Sequence, residues 1–340
     1  MSYFSSPILV TGVAGFIGFH VARRLLDKGM AVYGIDNLSP YYDPGLKEAR
    51  LAELDGRNGF SFRQFDLADS EATSAAFAEA KPSRVIHLAA QPGVRQSLVE
   101  PRPYVMSNVV AFLNVLEECR HGGIEHLVYA SSSSVYGANR KVPFSERDNV
   151  DHPVSLYAAT KKADELMAHS YAHLYGLPST GLRFFTVYGP WGRPDMAVYV
   201  FTDSIARGCP ITVAKGGAVW RDFTYIDDVV DGVLQVLEHV PSPNPDWDGM
   251  HPDPATSSAP HRIYNIGNNK PEELNRLISL IEEGLGEKAK RTDMPLPPGD
   301  VPETAADISD ITRDTGFVPV TSLDVGVSRF IDWYRDFHRV

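Results

Sequence analysis

Cysteine is scarce: the 340 residues hold two, Cys119 and Cys209, with no Cys-x-x-Cys pair and no His/Cys cluster. That scarcity excludes a disulfide framework and a zinc knuckle, and it fits a reducing, cytoplasmic setting. Positive charge is also short, with 32 Lys and Arg against 43 Asp and Glu and a formal net charge of -11. Nucleic acid and anionic membrane both demand basic patches, so neither is expected as a partner. No apolar run is long enough to span a bilayer, and residues 1–7 lack the basic start of a signal peptide. Internal repeats are absent too. What remains is the balance of an ordinary folded chain, 43% hydrophobic and 22% charged. Its length suits about two domains or one elaborate α/β domain.

The chain opens on the apolar run Ile8, Leu9, Val10, followed by a loop with Gly12, Gly15 and Gly18 and then by a helical pattern through Leu26. Strand, glycine turn and helix in this order are the context of a dinucleotide-binding loop. Gly12 permits the turn, Gly15 lets backbone N–H groups approach a pyrophosphate, and Gly18 allows close packing on the strand. Phe16 and Ile17 complete that contact. The spacing is GxxGxxG rather than GxGxxG. A second strand, residues 31–36, ends on Asp36, eighteen residues after Gly18 (36 − 18), where an acid is placed to bind the adenosine ribose. Its charge would repel a 2′-phosphate, and Asn37 beside it is not cationic, which favours NAD over NADP.

Alternating strands and helices continue, which predicts a Rossmann-type, doubly wound parallel sheet. Residues 60–65 read as a strand with Asp66 and Leu67 at its end, where Asp66 can take the adenine amino group. Residues 70–80 read as a crossover helix. Residues 84–90 read as a strand whose last members, Leu88, Ala89 and Ala90, leave room for a cofactor. His87 within it reads as a core histidine. A helix over 108–119 shows the apolar face Val109, Phe112, Leu113 and Leu116, with Cys119 as packing. The strand 126–131 delivers Ser131, Ser132, Ser133 and Ser134 to the carboxyl edge of the sheet, where ligands bind in open α/β folds.

A helix running to about residue 175 then carries Tyr157 and Lys161, one turn apart on one face. An ammonium beside a phenol favours the charged form, lowering its pKa from about 10 toward working pH. Such a tyrosinate is a general base for a sugar or alcohol hydroxyl. His169 and His173 on the same helix have no third ligand, so no metal is expected. The strand 181–185 essentially completes an NAD-binding domain over residues 1–185. Residues 186–340 form a smaller C-terminal α/β domain for substrate, partly interleaved with the first. There Arg193, fixed by Gly and Pro turns, can grip an anion bidentately. Arg221 lies just before a strand at 223–226, Asp227 and Asp228 open a helix, and residues 241–260 form a long surface loop. A strand at 263–266, a helix over 271–285, a loop at 295–300 and a closing helix over 323–337 finish the chain.

These motifs resemble the extended short-chain dehydrogenase/reductases, and within them the NAD-dependent nucleotide-sugar epimerases. The shared features are the glycine loop, Asp36, Leu88 to Ala90, Ser131 and Ser132 with Val135, Tyr136 and Gly137, the Tyr157/Lys161 pair, and Arg221 with Asp222. The resemblance is closest to UDP-glucuronate 4-epimerases, through residues 36–43, 183–196 and 299–304. By that resemblance Tyr157 is the base and Lys161 its partner on the nicotinamide ribose. Ser132 meets the C4 oxygen, with Ser134 as the alternative, and Ser133 and Ser134 face the uronate carboxylate. Thr186 stands where galactose-type epimerases carry Asn. Arg193 contacts the carboxylate or a phosphate, while Arg221 and Asp300 hold the UDP pyrophosphate and ribose. The resemblance also implies a homodimer through the helices near 108–120 and 157–175.

The implied reaction oxidises C4 to a ketone with NAD, lets the sugar turn over, and reduces the other face. Three other outcomes remain open from sequence: a UDP-glucuronate decarboxylase, a UDP-galactose 4-epimerase, and a catalytically silent NAD(P)-binding regulator.

Overall fold

The computed structural model describes residues 6–297 and 299–339. Residues 1–5, part of the segment searched for a leader, lie outside the described residues, as does Pro298 of the 295–300 loop.

The first half alternates as its patterns predict: β1 (Ile8–Thr11), α1 (Phe16–Asp27), β2 (Val32–Asp36), α2 (Pro44–Leu54), β3 (Phe60–Gln64), α3 (Ser70–Ala80) and β4 (Arg84–His87). A short helix α4 (Pro101–Tyr104) runs through a π-helical turn (Val105–Val110) into α5 (Ala111–Gly122). Next come β5 (His126–Ser132), α6 (Leu156–Tyr175) and β6 (Ser179–Phe184). The second half contains β7 (Thr186–Tyr188), α7 (Ala197–Ala206), β8 (Ile211–Ala214), β9 (Trp220–Tyr225) and α8 (Ile226–Glu238). It ends with β10 (His261–Ile266), β11 (Pro271–Glu273), α9 (Leu274–Leu285), β12 (Arg291–Met294), α10 (Ser309–Thr315) and α11 (Leu323–His338).

Seven strands form one parallel sheet in the order β10-β6-β5-β4-β1-β2-β3. β1 is buried throughout because both faces are covered, which is why it reads as a continuous apolar run. Ile8 and Val10 point into one core layer and Leu9 into the other, the two-residue alternation of a strand. The chain leaves β1 in one direction toward β3, then returns to build β4, β5 and β6 on the other side. That reversal opens a crevice at the carboxyl ends of β1 and β4.

The seventh strand comes from the second half. β10 pairs in register with β6, Ile263 opposite Gly181, so the sheet is not finished at residue 185. Beside the main sheet, β7, β9 and β11 form a three-stranded sheet and β8 pairs with β12.

Four local expectations need correcting. Arg221 lies inside β9, not before it. The strand at 84–90 stops at His87, and Leu88 to Ala90 leave the sheet as a loop. Residues 271–273 pair with β9 instead of starting the helix, since their neighbour offers an open strand edge. The helix expected from 108 becomes regular only at Ala111, and the buried face is Phe112, Val115, Leu116 and Cys119, with Leu113 exposed. The buried residues stand at i, i+3, i+4 and i+7 of a regular helix, and Leu113, one position after Phe112, falls beside that face. The 241–260 loop is anchored, with Ala255, Ser257 and Ala259 buried and Asn244 N donating to Ser257 O at 2.8 Å.

Candidate active site

The crevice is a cleft of about 1720 Å³, counted to its open mouth. The glycine loop forms one wall. Gly12 has φ +69°, and a Cβ there would lie 2.7 Å from Ala89 N, so the turn and the β4 loop touch through backbone. A Cβ on Gly18 would lie 2.1 Å from Gly12 O, so α1 can seat against the loop only with glycine at this position. Gly15 is the N-cap of α1 and brings no side-chain cap. The first N–H groups of α1, at the positive end of the helix dipole, are therefore suited to an anion such as a pyrophosphate.

Asp36 ends β2 at the rim. Its Oδ2 accepts from Ala14 N (3.1 Å) and its Oδ1 from Leu38 N (2.8 Å), which fixes the carboxylate where a ribose would lie. Asn37 Nδ2 donates to Asp66 Oδ2 (3.0 Å), and Asp66 Oδ1 accepts from Ala68 N (2.9 Å). Leu67, Leu88, Ala89 and Ala90 line the same cleft, together with Phe16 and Ile17. A cradle that closes on any added Cβ, a bare helix start and a fixed rim acid together fit a dinucleotide with an unphosphorylated ribose.

Ser131, Ser132, Ser133, Ser134, Tyr157, Lys161, Thr186 and Arg193 line the remaining wall. Within the serine run, Ser131 Oγ donates to Glu165 Oε1 (2.7 Å). Ser132 Oγ donates to Ser134 Oγ (3.1 Å) and accepts from Ser134 N (3.2 Å), capping the 3₁₀ turn that follows β5. Tyr157 sits in the first turn of α6, which is capped by Ser155 through Ala158 N. Its ring meets Tyr104 edge-on at 6.2 Å. Lys161 Nζ donates to Ala130 O (3.0 Å) and to Asp164 Oδ2 (3.1 Å).

Arg193 Nε and one terminal nitrogen reach Asp195 at 3.0 and 2.5 Å. Tyr41 Oη donates to the same carboxylate (3.1 Å). Burial works against the Arg193 charge, but Asp195 overcomes it and raises the pKa. One edge of the guanidinium is thus held by Asp195. Tyr41, Asp195 and the loop from Gln91 to Val94 had no role assigned from sequence, although Tyr41 and Asp195 lie inside the motifs 36–43 and 183–196 that carried the resemblance. Gly93 backs Tyr41 closely: a Cβ there would lie 2.3 Å from the Tyr41 hydroxyl.

Arg221 and Asp300 stand apart from this wall and do not line the cleft. Asp300 pairs with Arg95 (3.0 Å), while an Arg221 terminal nitrogen donates to Trp220 O (2.9 Å) and Pro302 O (3.3 Å). Burial lowers the Arg221 pKa, and the Asp300 charge opposes that effect. His87 is a core residue: Thr11 Oγ1 lies 2.9 Å from its Nδ1, and burial pulls its pKa to about 3. His169 Nε2 lies 2.8 Å from Ser257 Oγ.

Residues 8–267 match the family described as NAD dependent epimerase/dehydratase. The chain belongs to that family. Among curated relatives it is 49% identical over 335 residues to a probable UDP-glucuronate 4-epimerase of Rhizobium meliloti, covering 97% of both chains. It is 51% identical over 332 residues to protein CapI of Staphylococcus aureus, covering 98% of this chain and 99% of the relative. Among solved structures it is similar to the UDP-glucuronic acid 4-epimerase from Bacillus cereus in complex with UDP-glucuronic acid and NAD. That match has 32% identity and a TM-score of 0.87 over 97% of this chain and 99% of the other. No helix among the described residues is long and apolar enough to cross a membrane.

Proposed function

We propose that this protein interconverts UDP-glucuronate and UDP-galacturonate by oxidising and re-reducing C4 of the sugar. The observation that carries the reading is one cleft whose two walls hold complementary parts. Glycine loop and Asp36 line it together with Ser132, Ser134, Tyr157, Lys161 and Arg193.

NAD, when bound, accepts and returns the hydrogen and electron pair that C4 loses and regains. Gly12, Gly15 and Gly18 with the start of α1 hold its pyrophosphate, Asp36 holds its ribose, and Asp66 and Leu67 close on the adenine. The side chains do the rest. Tyr157 takes the proton of the C4 hydroxyl and gives it back, with Lys161 one helical turn away on the same face. Ser132 or Ser134 steadies the C4 oxygen through a hydrogen bond. The free edge of Arg193, with Ser133 and Thr186, reads the C6 carboxylate. A ketone at C4 of a uronate is a β-keto acid, so retention of carbon dioxide requires the carboxylate bond to be held out of line with the carbonyl π-system. Arg193 is placed to do that. Arg221 and Asp300, outside the cleft wall, anchor the UDP while the sugar turns.

The same reading divides the chain into a cofactor unit over 1–185 and a substrate unit over 186–340, interleaved through β10. It places the protein in the cytoplasm, with both cysteines free. It also pairs two copies through the outer faces of α5 and α6, where Leu113, Leu166, Leu174 and Tyr175 are exposed.

The test is to incubate purified protein with UDP-glucuronate, without added reductant, and identify the sugar by NMR. A galacturonyl nucleotide is expected. Released carbon dioxide with a pentose, or turnover of UDP-glucose alone, would replace the reading with a decarboxylase or a neutral-sugar epimerase.

A further inference from the structure

Lys161 Nζ has two polar partners, and one of them is an anion buried behind the catalytic wall. Asp164 Oδ2 lies 3.1 Å away, and the two side chains are 1% and 2% exposed. A pair this enclosed is a weak source of stability, because removing both charges from water offsets most of their attraction. Moreover Asp164 Oδ1 has no hydrogen-bond partner. What the pair does offer is placement. Tyr157, Lys161 and Asp164 occupy positions i, i+4 and i+7 of α6, one face over two turns. Tyr157 and Lys161 line the cleft and Asp164 does not.

We propose that Asp164 is a positioning residue for proton transfer at Tyr157: it fixes the Lys161 ammonium against the Ala130 carbonyl, and its charge sets how strongly that ammonium favours the phenolate. The inference rests on Tyr157 being the group that exchanges the C4 proton.

The surroundings leave Asp164 as the anion that acts. On α6 itself, Glu165 is held by Arg183 of β6 at 2.8 and 2.9 Å and by Ser131 of β5, and Lys162 lies 3.5 Å from it. His87 of β4 faces Lys161, and burial, then Lys161, keeps it neutral. Tyr129 of β5 faces Asp164 and Glu165, and burial keeps its phenol protonated. His261 of β10 is neutral through burial. Glu117 of α5 accepts from Tyr171, toward the far end of α6. Tyr104 of α4 and Arg193 face Tyr157, and burial pushes Tyr104 up to about 12. Burial, against the pull of Lys161, raises the Asp164 pKa. When Asp164 takes up a proton, Lys161 acts on Tyr157 unopposed. When it loses the proton, part of that field is cancelled.

Near-ultraviolet phenolate absorbance tests this without turnover. Proteins as purified are titrated: wild type, Tyr157→Phe, Asp164→Asn and the double variant, so that differences isolate Tyr157. With the charge opposite Lys161 removed, the Asp164→Asn curve should shift about 1 pH unit lower than that of wild type, and the acid limb of kcat should move with it. Coincident curves, even with a lowered melting temperature, overturn the proposal, because a purely structural role predicts them. If Asp164→Asn does not yield folded protein, Asp164→Ser serves in the same comparison. Separated curves in a protein that leaves UDP-glucuronate unchanged would overturn the substrate reading and keep Asp164 in its role.

Discussion

Ser132 Oγ donates to Ser134 Oγ at 3.1 Å, while Ser131 Oγ is turned away to Glu165. The pair joins the two serines, Ser132 and Ser134, between which four successive serines leave the register open. Two hydroxyls share one hydrogen-bonded unit in the cleft, so their effects should not add. Ser132→Ala is expected to lower kcat about 10- to 100-fold, as loss of a buried hydrogen bond to a reacting oxygen does. Ser134→Ala should cost less, and the double variant less than the product of the two. Steady-state kinetics on UDP-glucuronate checks all three.

Glu165 and Arg183 form the buried pair behind that wall, 3% and 1% exposed. Burial raises the Glu165 pKa, but Arg183 and Ser131 outweigh it and hold the group down to about 2. A depressed carboxylate stabilises the fold above its unfolded pKa, and that stability is lost as pH falls through the folded value. The loss should therefore set in below about 4.5 and be complete near 2. Glu165→Ala strands the Arg183 charge and is expected to cost about 3–5 kcal/mol in urea unfolding at neutral pH.

Glu146 has the opposite sign. Burial, against hydrogen bonds such as the one from Asn265 N (2.8 Å), pushes it up to about 7. The folded state then binds this proton more tightly than the unfolded chain, and stability falls as pH rises from about 4.5 to about 7. Glu146→Gln keeps the accepting oxygen without the charge. Its melting temperature should exceed that of wild type at pH above 7, and a variant melting lower there would contradict the assignment.

Asp36 accepts two backbone N–H groups and sits where the adenosine ribose is expected. Asp36→Ala should weaken NAD retention about tenfold or more, counting one charge-assisted hydrogen bond at about 1.5–3 kcal/mol. The measurement is cofactor content after gel filtration. Unchanged content would place the ribose elsewhere.

Much of this was legible in the residue string, for identifiable reasons. Glycines that a Cβ would drive into backbone, at positions 12 and 18, carry a signal that needs no partner strand. The same holds for Tyr157 and Lys161, because helical spacing alone puts them on one face. Long-range geometry was less legible. That β10 would join β6 depends on an exposed sheet edge offered 82 residues earlier (261 − 179), not on the strand's own sequence. The same limit hid Asp195 and Tyr41, which matter through a contact between loops at |i−j| = 154. Leu113 misled because it is apolar but stands one residue after Phe112, beside the face that i, i+3, i+4 and i+7 bury.

The central claim is that the Tyr157 side chain exchanges the C4 proton beside the dinucleotide. Its most direct measurement is turnover of UDP-glucuronate by Tyr157→Phe, with bound NAD quantified in the same preparation. The account predicts kcat lower by about 10²–10⁴ with NAD content unchanged. A variant forming galacturonyl nucleotide at the wild-type rate would contradict it.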